Sequence, residues 1–91
     1  MKKAVHLFIS GVVQGIFFRR FVKSNADMHN VKGFIRNLED GRVEVFLEGS
    51  QEDVDSMIAI CKQGPASSKL RKFEEKEERF QDFRDFKILA G

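Results

Sequence analysis

The sequence predicts an α+β fold in which two helices pack on one face of an antiparallel β-sheet. Three observations lead to this prediction. Several short stretches alternate between two faces with the period of a strand, and two longer stretches repeat apolar residues at helical spacing. An Asp-Gly pair between two of the strand-like stretches is a strong signal for a hairpin. The predicted order of elements is βαββαβ.

The first half of the chain contains a strand, a helix and a hairpin. Residues 4–10 alternate with period 2, as a strand with one buried face does. Apolar residues between positions 18 and 29 then fall three and four apart, which indicates a helix. Residues 33–38 predict the second strand, the turn at Asp40-Gly41 follows, and residues 43–47 return as the third strand.

A second helix is predicted after Ser50. Serine is a good N-cap, and Asp53 stands at the capping-box position three residues later. Gly64-Pro65 ends the helix, because glycine is common just after a helix and proline cannot continue one. One apolar face contains Val54, Met57, Ile58 and Cys61.

The last third of the chain carries weaker signals. Residues 69–73 have the pattern of a strand, whereas the acidic run 74–78 is typical of a solvated helix surface. Phe83, Phe86 and Ile88 predict a short closing strand. If the last third is counted as a single strand, the order of elements is that of a split βαβ, or ferredoxin-like, sandwich. The bounds of the last two strands stay open.

Composition narrows the classes of function. A length of 91 residues fits one domain, 1–91, and the 16 basic and 14 acidic residues are interspersed, which gives no support for nucleic-acid binding. The single cysteine excludes an internal disulfide and fits a reducing compartment. We find no apolar run of about 20 residues and no cleavable leader. We therefore expect a cytoplasmic protein without a membrane segment, and a monomer by default.

A glycine-rich segment between the first strand and the first helix predicts an anion site. Glycine adopts backbone angles that point successive N–H groups inward, and the start of a helix leaves its first N–H groups unpaired. Arginine adds a planar, permanently charged fork that suits phosphate. The predicted phosphate-binding residues are Gly11, Val12, Val13, Gln14, Gly15, Ile16, Phe17, Phe18 and Arg19.

Other chemistries are less well supported. The segment lacks the spacing of a nucleotide-binding P-loop, and no G-x-G-x-x-G occurs. Lys32-Gly33-Phe34 matches the first three positions of an RNA-binding pattern, but the match stops at Ile35. His6 and His29 have no Cys or carboxylate at metal-ligand spacing, so we expect no metal.

Asn37 is the second candidate for a functional side chain. By the period of a strand, Ile35 and Asn37 point to one face, and Phe34 and Arg36 point to the other. A neutral amide beside a cationic anion site would orient a water without repelling phosphate. Taken alone, Arg19 fits a surface arginine equally well, and Asn37 fits a turn residue.

Two segments resemble the acylphosphatase family. Residues 11–19, Gly-Val-Val-Gln-Gly-Ile-Phe-Phe-Arg, resemble its G-x-V-Q-G-V-x-F-R segment. Gly33-Phe34-Ile35-Arg36-Asn37, with Asp40-Gly41-Arg42-Val43-Glu44, resembles its G-W-V-R-N-x-x-D-G-x-V-E segment. Phe34 stands where tryptophan is usual and Ile16 where valine is usual. Gly64-Pro65 and Phe86-Lys87-Ile88 also fall where the family has similar residues.

The resemblance implies a ferredoxin-like hydrolase that splits acyl phosphates into a carboxylate and phosphate, without metal or cofactor. It assigns phosphate binding and catalysis to Arg19, and the orientation of water to Asn37. Inorganic phosphate is then the product and an expected inhibitor, while Arg20 is either a second contact or simply exposed. An accessory module of a larger carbamoyl-handling protein is the main alternative, and an RNA-binding module of this fold is the second.

Overall fold

The computed structural model describes residues 1–13, 15–66 and 68–90, without the side chain of Val12. Within them, two helices pack on one face of a sheet with strand order β4-β1-β3-β2-β5. The predicted ferredoxin-like α+β arrangement is confirmed. The elements are β1 (Lys2–Val12), α1 (Ile16–Met28), β2 (Lys32–Asn37), β3 (Val43–Ser50), α2 (Gln51–Gln63), β4 (Lys69–Glu77) and β5 (Phe86–Ile88).

The core lies between the helices and the odd-numbered residues of the central strands. In the antiparallel pairing of β1 with β3, Val5 faces Leu47 and Leu7 faces Val45. Residues directly opposite each other share a face, and all four are fully buried. The helices fill the space above them with Phe18, Val22, Ala26, Val54, Met57, Ile58 and Cys61.

A fifth strand makes the sheet mixed instead of purely antiparallel. β5 pairs with β2 in the parallel sense, with Phe86 opposite Gly33. Because β4 and β5 lie at opposite edges, the segment between them crosses the face that the helices leave open. Fully buried Glu48 of β3 holds this crossing, since its two carboxylate oxygens accept the N–H groups of Gln81 and Phe83, each at 2.6 Å.

The prediction of a helical environment for the acidic run 74–78 is wrong. Residues 69–73 do form a strand, but β4 continues to Glu77 because it stays paired with β1, with Glu74 opposite Phe8. An edge strand leaves much of its surface in water, so charged residues are tolerated there and discourage pairing with another chain.

The face away from the helices contains aromatic rings that pack on one another. Phe46 is 5% exposed and stacks on Phe34, while Phe83 of the crossing segment meets both rings. His6 lies beside them with its Nε2 atom 2.7 Å from Glu44 Oε2. This surface is therefore a packed layer under the crossing segment instead of an open stacking platform. Among the described residues, neither helix is long and apolar enough to cross a bilayer.

Candidate active site

The described members of the predicted site lie at one edge of the sheet. Val43, at the start of β3, is paired with Ile9 near the end of β1 and with Asn37 at the end of β2. The ends of β1 and β2 are therefore two strand spacings apart, about 10 Å. The chain leaves β1 at Val12 and enters α1 at Ile16, so the glycine-rich segment lies at the same edge as Asn37.

Gly11 and Gly15 are glycine for different structural reasons. At Gly11, where φ is +132°, a Cβ atom would lie 2.1 Å from the backbone oxygen of Lys69, beside the bulge in the β1–β4 pairing. Gly11 is therefore required by the close approach of β4. Gly15 has φ of +126° but open space around the Cβ position, so a ligand can approach its backbone. Gln14, also in the predicted loop, lies outside the described residues.

The segment is held in place from both sides by the core. Val13 is 1% exposed and Phe18 is 3% exposed, so the chain is anchored just before and just after Gly15. The Phe18 ring also lies against Gly64, at the end of α2. The core therefore fixes the chain on both sides of Gly15.

The start of α1 is formed around a glycine. Gly15 is the N-cap and has no side chain, and among the described residues no side chain caps this end. The first turn, Ile16 to Phe18, contains no acidic residue. The first N–H groups of a helix have no partner within it and carry a partial positive charge, so this end favours a negative ligand.

Arg19 is turned towards this helix start. Its Nε atom donates a hydrogen bond to the backbone oxygen of Gly15 at 3.4 Å, and its side chain is half-buried. Among the described residues, Arg19 forms no ion pair with a carboxylate. Its charge is therefore available to a bound anion, with a guanidinium fork that matches phosphate oxygens.

The position of Lys23 shows which way Arg19 faces. The two residues are four apart and share one flank of α1. Lys23 Nζ donates to the backbone oxygen of Phe86 at 2.9 Å, and Phe86 is paired with Gly33 of β2. The Arg19 flank therefore looks onto β2 and β5. Since α1 begins at the edge where β2 ends, Arg19 lies one turn nearer to Asn37 than Lys23 does.

Asn37 has a buried acceptor to which no described group donates. Its side chain shares a face with fully buried Ile35, whereas Arg36 points to the other face and donates to Glu44, as the period predicts. Among the described residues, Asn37 Oδ1 is buried and accepts no hydrogen bond. Such an atom costs about 1–3 kcal/mol when left unsatisfied, so it favours a donor from a water or ligand.

The sequence did not reveal the C-terminal neighbour of Asn37. After β5, Leu89 N–H donates to the backbone oxygen of Ile35 at 2.9 Å. This bond carries the chain along β2, and Ala90 then lines a small cavity together with Asn37 and Glu39. In the sequence, the apolar pattern of the closing strand predicted a strand but did not specify which strand it pairs with.

The other side chains considered from the sequence have different surroundings. Arg20 is exposed. Cys61 is fully buried in α2, and burial raises the pKa of its thiol to about 12, which keeps it protonated and unreactive. Among the described residues, no group of three His, Cys, Asp or Glu side chains is arranged to hold a metal ion.

Known proteins share both the sequence pattern and this fold. The sequence model of the acylphosphatase family matches residues 5–88. An acylphosphatase from Syntrophus aciditrophicus is 40% identical over 90 residues, covering 98% of this chain and 94% of that protein. The crystal structure of acylphosphatase from Bacillus subtilis superposes with a TM-score of 0.90 at 32% identity, covering 98% of this chain and 99% of that one. HypF from T. kodakarensis matches with a TM-score of 0.83 and 35% identity over 100% of this chain but 12% of its own. The chain belongs to the acylphosphatase family.

Proposed function

We propose that this protein is a hydrolase of acyl phosphates, in which Arg19 and the glycine-rich segment bind the phosphate and Asn37 orients the attacking water. Membership of the acylphosphatase family supports the reaction class. One observation supports the division of roles: among the described residues, a helix start without a side-chain cap lies at the same edge as a buried amide oxygen without a hydrogen-bond partner.

Phosphate binding follows from charge and from the direction of the donors. The backbone N–H groups at the start of α1 and the Arg19 side chain, which reaches back to the backbone oxygen of Gly15, lie at the same end of the helix. A phosphoryl group carries its negative charge on three oxygens, and these stay charged in the transition state of phosphoryl transfer. Fixed donors that need no rearrangement are the most effective way to stabilise that charge.

Asn37 would act on the water. Its Oδ1 atom accepts a hydrogen bond from the water, which directs a lone pair of the water oxygen at phosphorus. A new bond forms between that oxygen and phosphorus while the bond from phosphorus to the acyl oxygen breaks. The electron pair leaves with the carboxylate, and the proton passes to a phosphate oxygen of the substrate.

The reaction suits a site without a strong base. The leaving carboxylate is weakly basic and needs no proton from the protein, so positioning and charge stabilisation supply most of the acceleration. A neutral amide also avoids the repulsion that a carboxylate would exert on the phosphoryl group. His6, the nearest candidate for a base on β1, points to the opposite face of the sheet and is held by Glu44.

The direct test is release of phosphate from benzoyl phosphate by the purified protein in excess chelator. We expect multiple turnovers and competitive inhibition by inorganic phosphate. Absence of turnover at any substrate concentration would overturn the proposal. A loss of activity with chelator that returns on adding a metal would refute the metal-free mechanism but keep the substrate class.

The likeness to HypF supports a second candidate, an acylphosphatase-type domain of a larger protein. The match spans 12% of the HypF chain, so a fold of this kind also occurs inside a larger protein. The same assay separates the two. A domain that works only within a larger protein would bind inorganic phosphate but would not hydrolyse benzoyl phosphate. A free-standing enzyme would hydrolyse benzoyl phosphate with multiple turnovers.

A further inference from the structure

Two exposed apolar side chains stand side by side at the proposed site. Among the described residues, the exposed large apolar side chains are Met1, Ile16, Phe17 and Met28. Phe17 is 78% exposed and Ile16 is 38% exposed, and both belong to the first turn of α1. Single exposed apolar residues are ordinary on protein surfaces. An adjacent pair at the mouth of an anion site instead suggests contact with a part of the ligand.

The packing of α1 fixes the direction of Phe17. Phe18 and Val22 are buried against the core, so the helix cannot turn to hide Phe17. Successive residues of a helix are about 100° apart, which places Phe17 and Arg19 on opposite flanks, about 160° from each other. The Arg19 flank faces β2 through the contact of Lys23 with Phe86. Phe17 lies on the other flank, with Phe21 one turn below it.

The in-line geometry of phosphoryl transfer assigns a different reacting group to each of these two flanks of α1. In phosphoryl transfer the attacking and leaving oxygens lie roughly in line through phosphorus. If Asn37 holds the water on the side of β2, the acyl oxygen lies on the far side of the phosphoryl group. That far side is the flank of Phe17, where Phe21 packs against the core and extends the apolar surface downwards.

The geometry points to Phe17 as the residue that contacts the acyl group, which gives the enzyme a preference for acyl phosphates with a flat apolar acyl group over acetyl phosphate. This inference rests on the proposed function. A planar acyl group stacks on the Phe17 ring or meets its edge, and both arrangements are favourable for aromatic pairs. An acetyl group offers one methyl to the same surface and gains little.

The test compares benzoyl phosphate with acetyl phosphate in the parent protein and in the variant Phe17→Ala. We expect KM for benzoyl phosphate to rise about fivefold in the variant, with kcat nearly constant, because an aromatic contact made equally in ground and transition states affects binding alone. The ratio of kcat/KM for benzoyl over acetyl phosphate falls accordingly. Phe17→Leu keeps part of the apolar surface and should lie between.

Met28→Ala is the matched control. Met28 is 74% exposed and belongs to the same helix, but it lies at the opposite end from the site. In this variant, the ratio of kcat/KM for benzoyl phosphate over acetyl phosphate should equal that of the parent protein. An unchanged ratio in Phe17→Ala, or an equal fall in Met28→Ala, would overturn the role of Phe17 while the hydrolase remains. If the parent protein hydrolysed neither substrate, the proposed function itself would fail, and Phe17 with it.

Discussion

The two helices of this protein begin in opposite ways. At the start of α2, Ser50 Oγ accepts the N–H of Asp53 at 3.2 Å, and Glu52 and Asp53 put two carboxylates in the first turn. At the start of α1 the cap is Gly15, and the first turn contains no acidic residue. Both helix starts carry unpaired N–H groups with partial positive charge; the protein satisfies them in α2, whereas no described side chain does so in α1.

The contrast holds position by position. Gln51, Glu52 and Asp53 of α2 correspond to Ile16, Phe17 and Phe18 of α1. Polar and acidic residues in one helix are therefore replaced by apolar residues in the other. A protein under selection for stability alone would place a capping side chain and acidic residues at both helix starts, since together they contribute about 1 kcal/mol over a glycine cap without them. The uncapped start of α1 thus points to use of that end, and the following variants test this.

Arg19→Ala should have the largest effect. It removes the charge and the fork from the open helix start, so we expect activity to fall about a thousandfold, as when a charge-stabilising donor is removed. Inhibition by inorganic phosphate should weaken as well. Steady-state kinetics with benzoyl phosphate, with and without phosphate, measure both quantities.

Arg84→Ala is the control for the loss of a positive charge. Arg84 is exposed, in the segment before β5, and lies near the start of β2 instead of its end. This variant should behave like the parent protein. An Arg19→Ala protein that phosphate inhibits as strongly as the parent would show that the guanidinium does not bind the phosphate.

Asn37→Ala should reduce turnover about a hundredfold with little change in phosphate inhibition. A group that aims a water is used mainly in the transition state, so kcat falls while binding of the anion stays. Asn37→Asp keeps the shape but adds a negative charge, and we expect it to weaken phosphate inhibition as well. Near-normal turnover in Asn37→Ala would refute the proposal that Asn37 Oδ1 orients the attacking water.

Local signals predicted the first five elements. The cap at Ser50, the Asp40-Gly41 turn and the apolar spacing of α1 are each contained in a few residues, and the structure has all three. The C-terminal third of the chain is different. β4 is a strand because β1 pairs with it, although Glu74 and its neighbours have no apolar alternation. A pairing partner distant in sequence overrides weak local preference.

Phe86 and Ile88 predicted the closing strand, but the crossing that brings it parallel to β2 could not be predicted, for a related reason. It depends on Glu48, whose buried carboxylate binds backbone groups more than 30 residues later in the chain. Glutamate on an alternating strand normally indicates the solvent side, so nothing local marks it as an anchor. Arg19 and Asn37 were recognisable from their motifs, and the structure brings them to one edge; their chemical roles remain predictions.

Phe17→Glu makes the start of α1 resemble that of α2, where Glu52 holds the equivalent position. The carboxylate would compete with phosphate for the same N–H groups and repel it. We therefore expect the inhibition constant of inorganic phosphate to rise about tenfold at low salt and less at high salt. Inorganic phosphate has no acyl group, so the loss of the proposed contact between the Phe17 ring and an acyl group does not affect its inhibition constant.

Phe17→Gln separates charge from shape in that experiment. It is as polar and as long as glutamate but neutral, so inhibition by phosphate should stay close to that of the parent protein. If Phe17→Glu and Phe17→Gln gave the same inhibition constant, the anion would not lie at the start of α1.

Ser50→Ala should have the smallest effect and should change stability alone. It removes the acceptor for the Asp53 N–H, while the Gln51 N–H keeps its bond to the Met1 oxygen at 2.8 Å. We expect a loss of about 1 kcal/mol in the free energy of unfolding, measured by urea denaturation, with kcat and phosphate inhibition unchanged. Ser56→Ala, at an exposed position within α2, removes a hydroxyl that caps nothing and should not destabilise the protein, since alanine is the better helix former. Equal stability of the two variants would mean that the cap of α2 contributes nothing, and the open start of α1 would then no longer stand out as the exception.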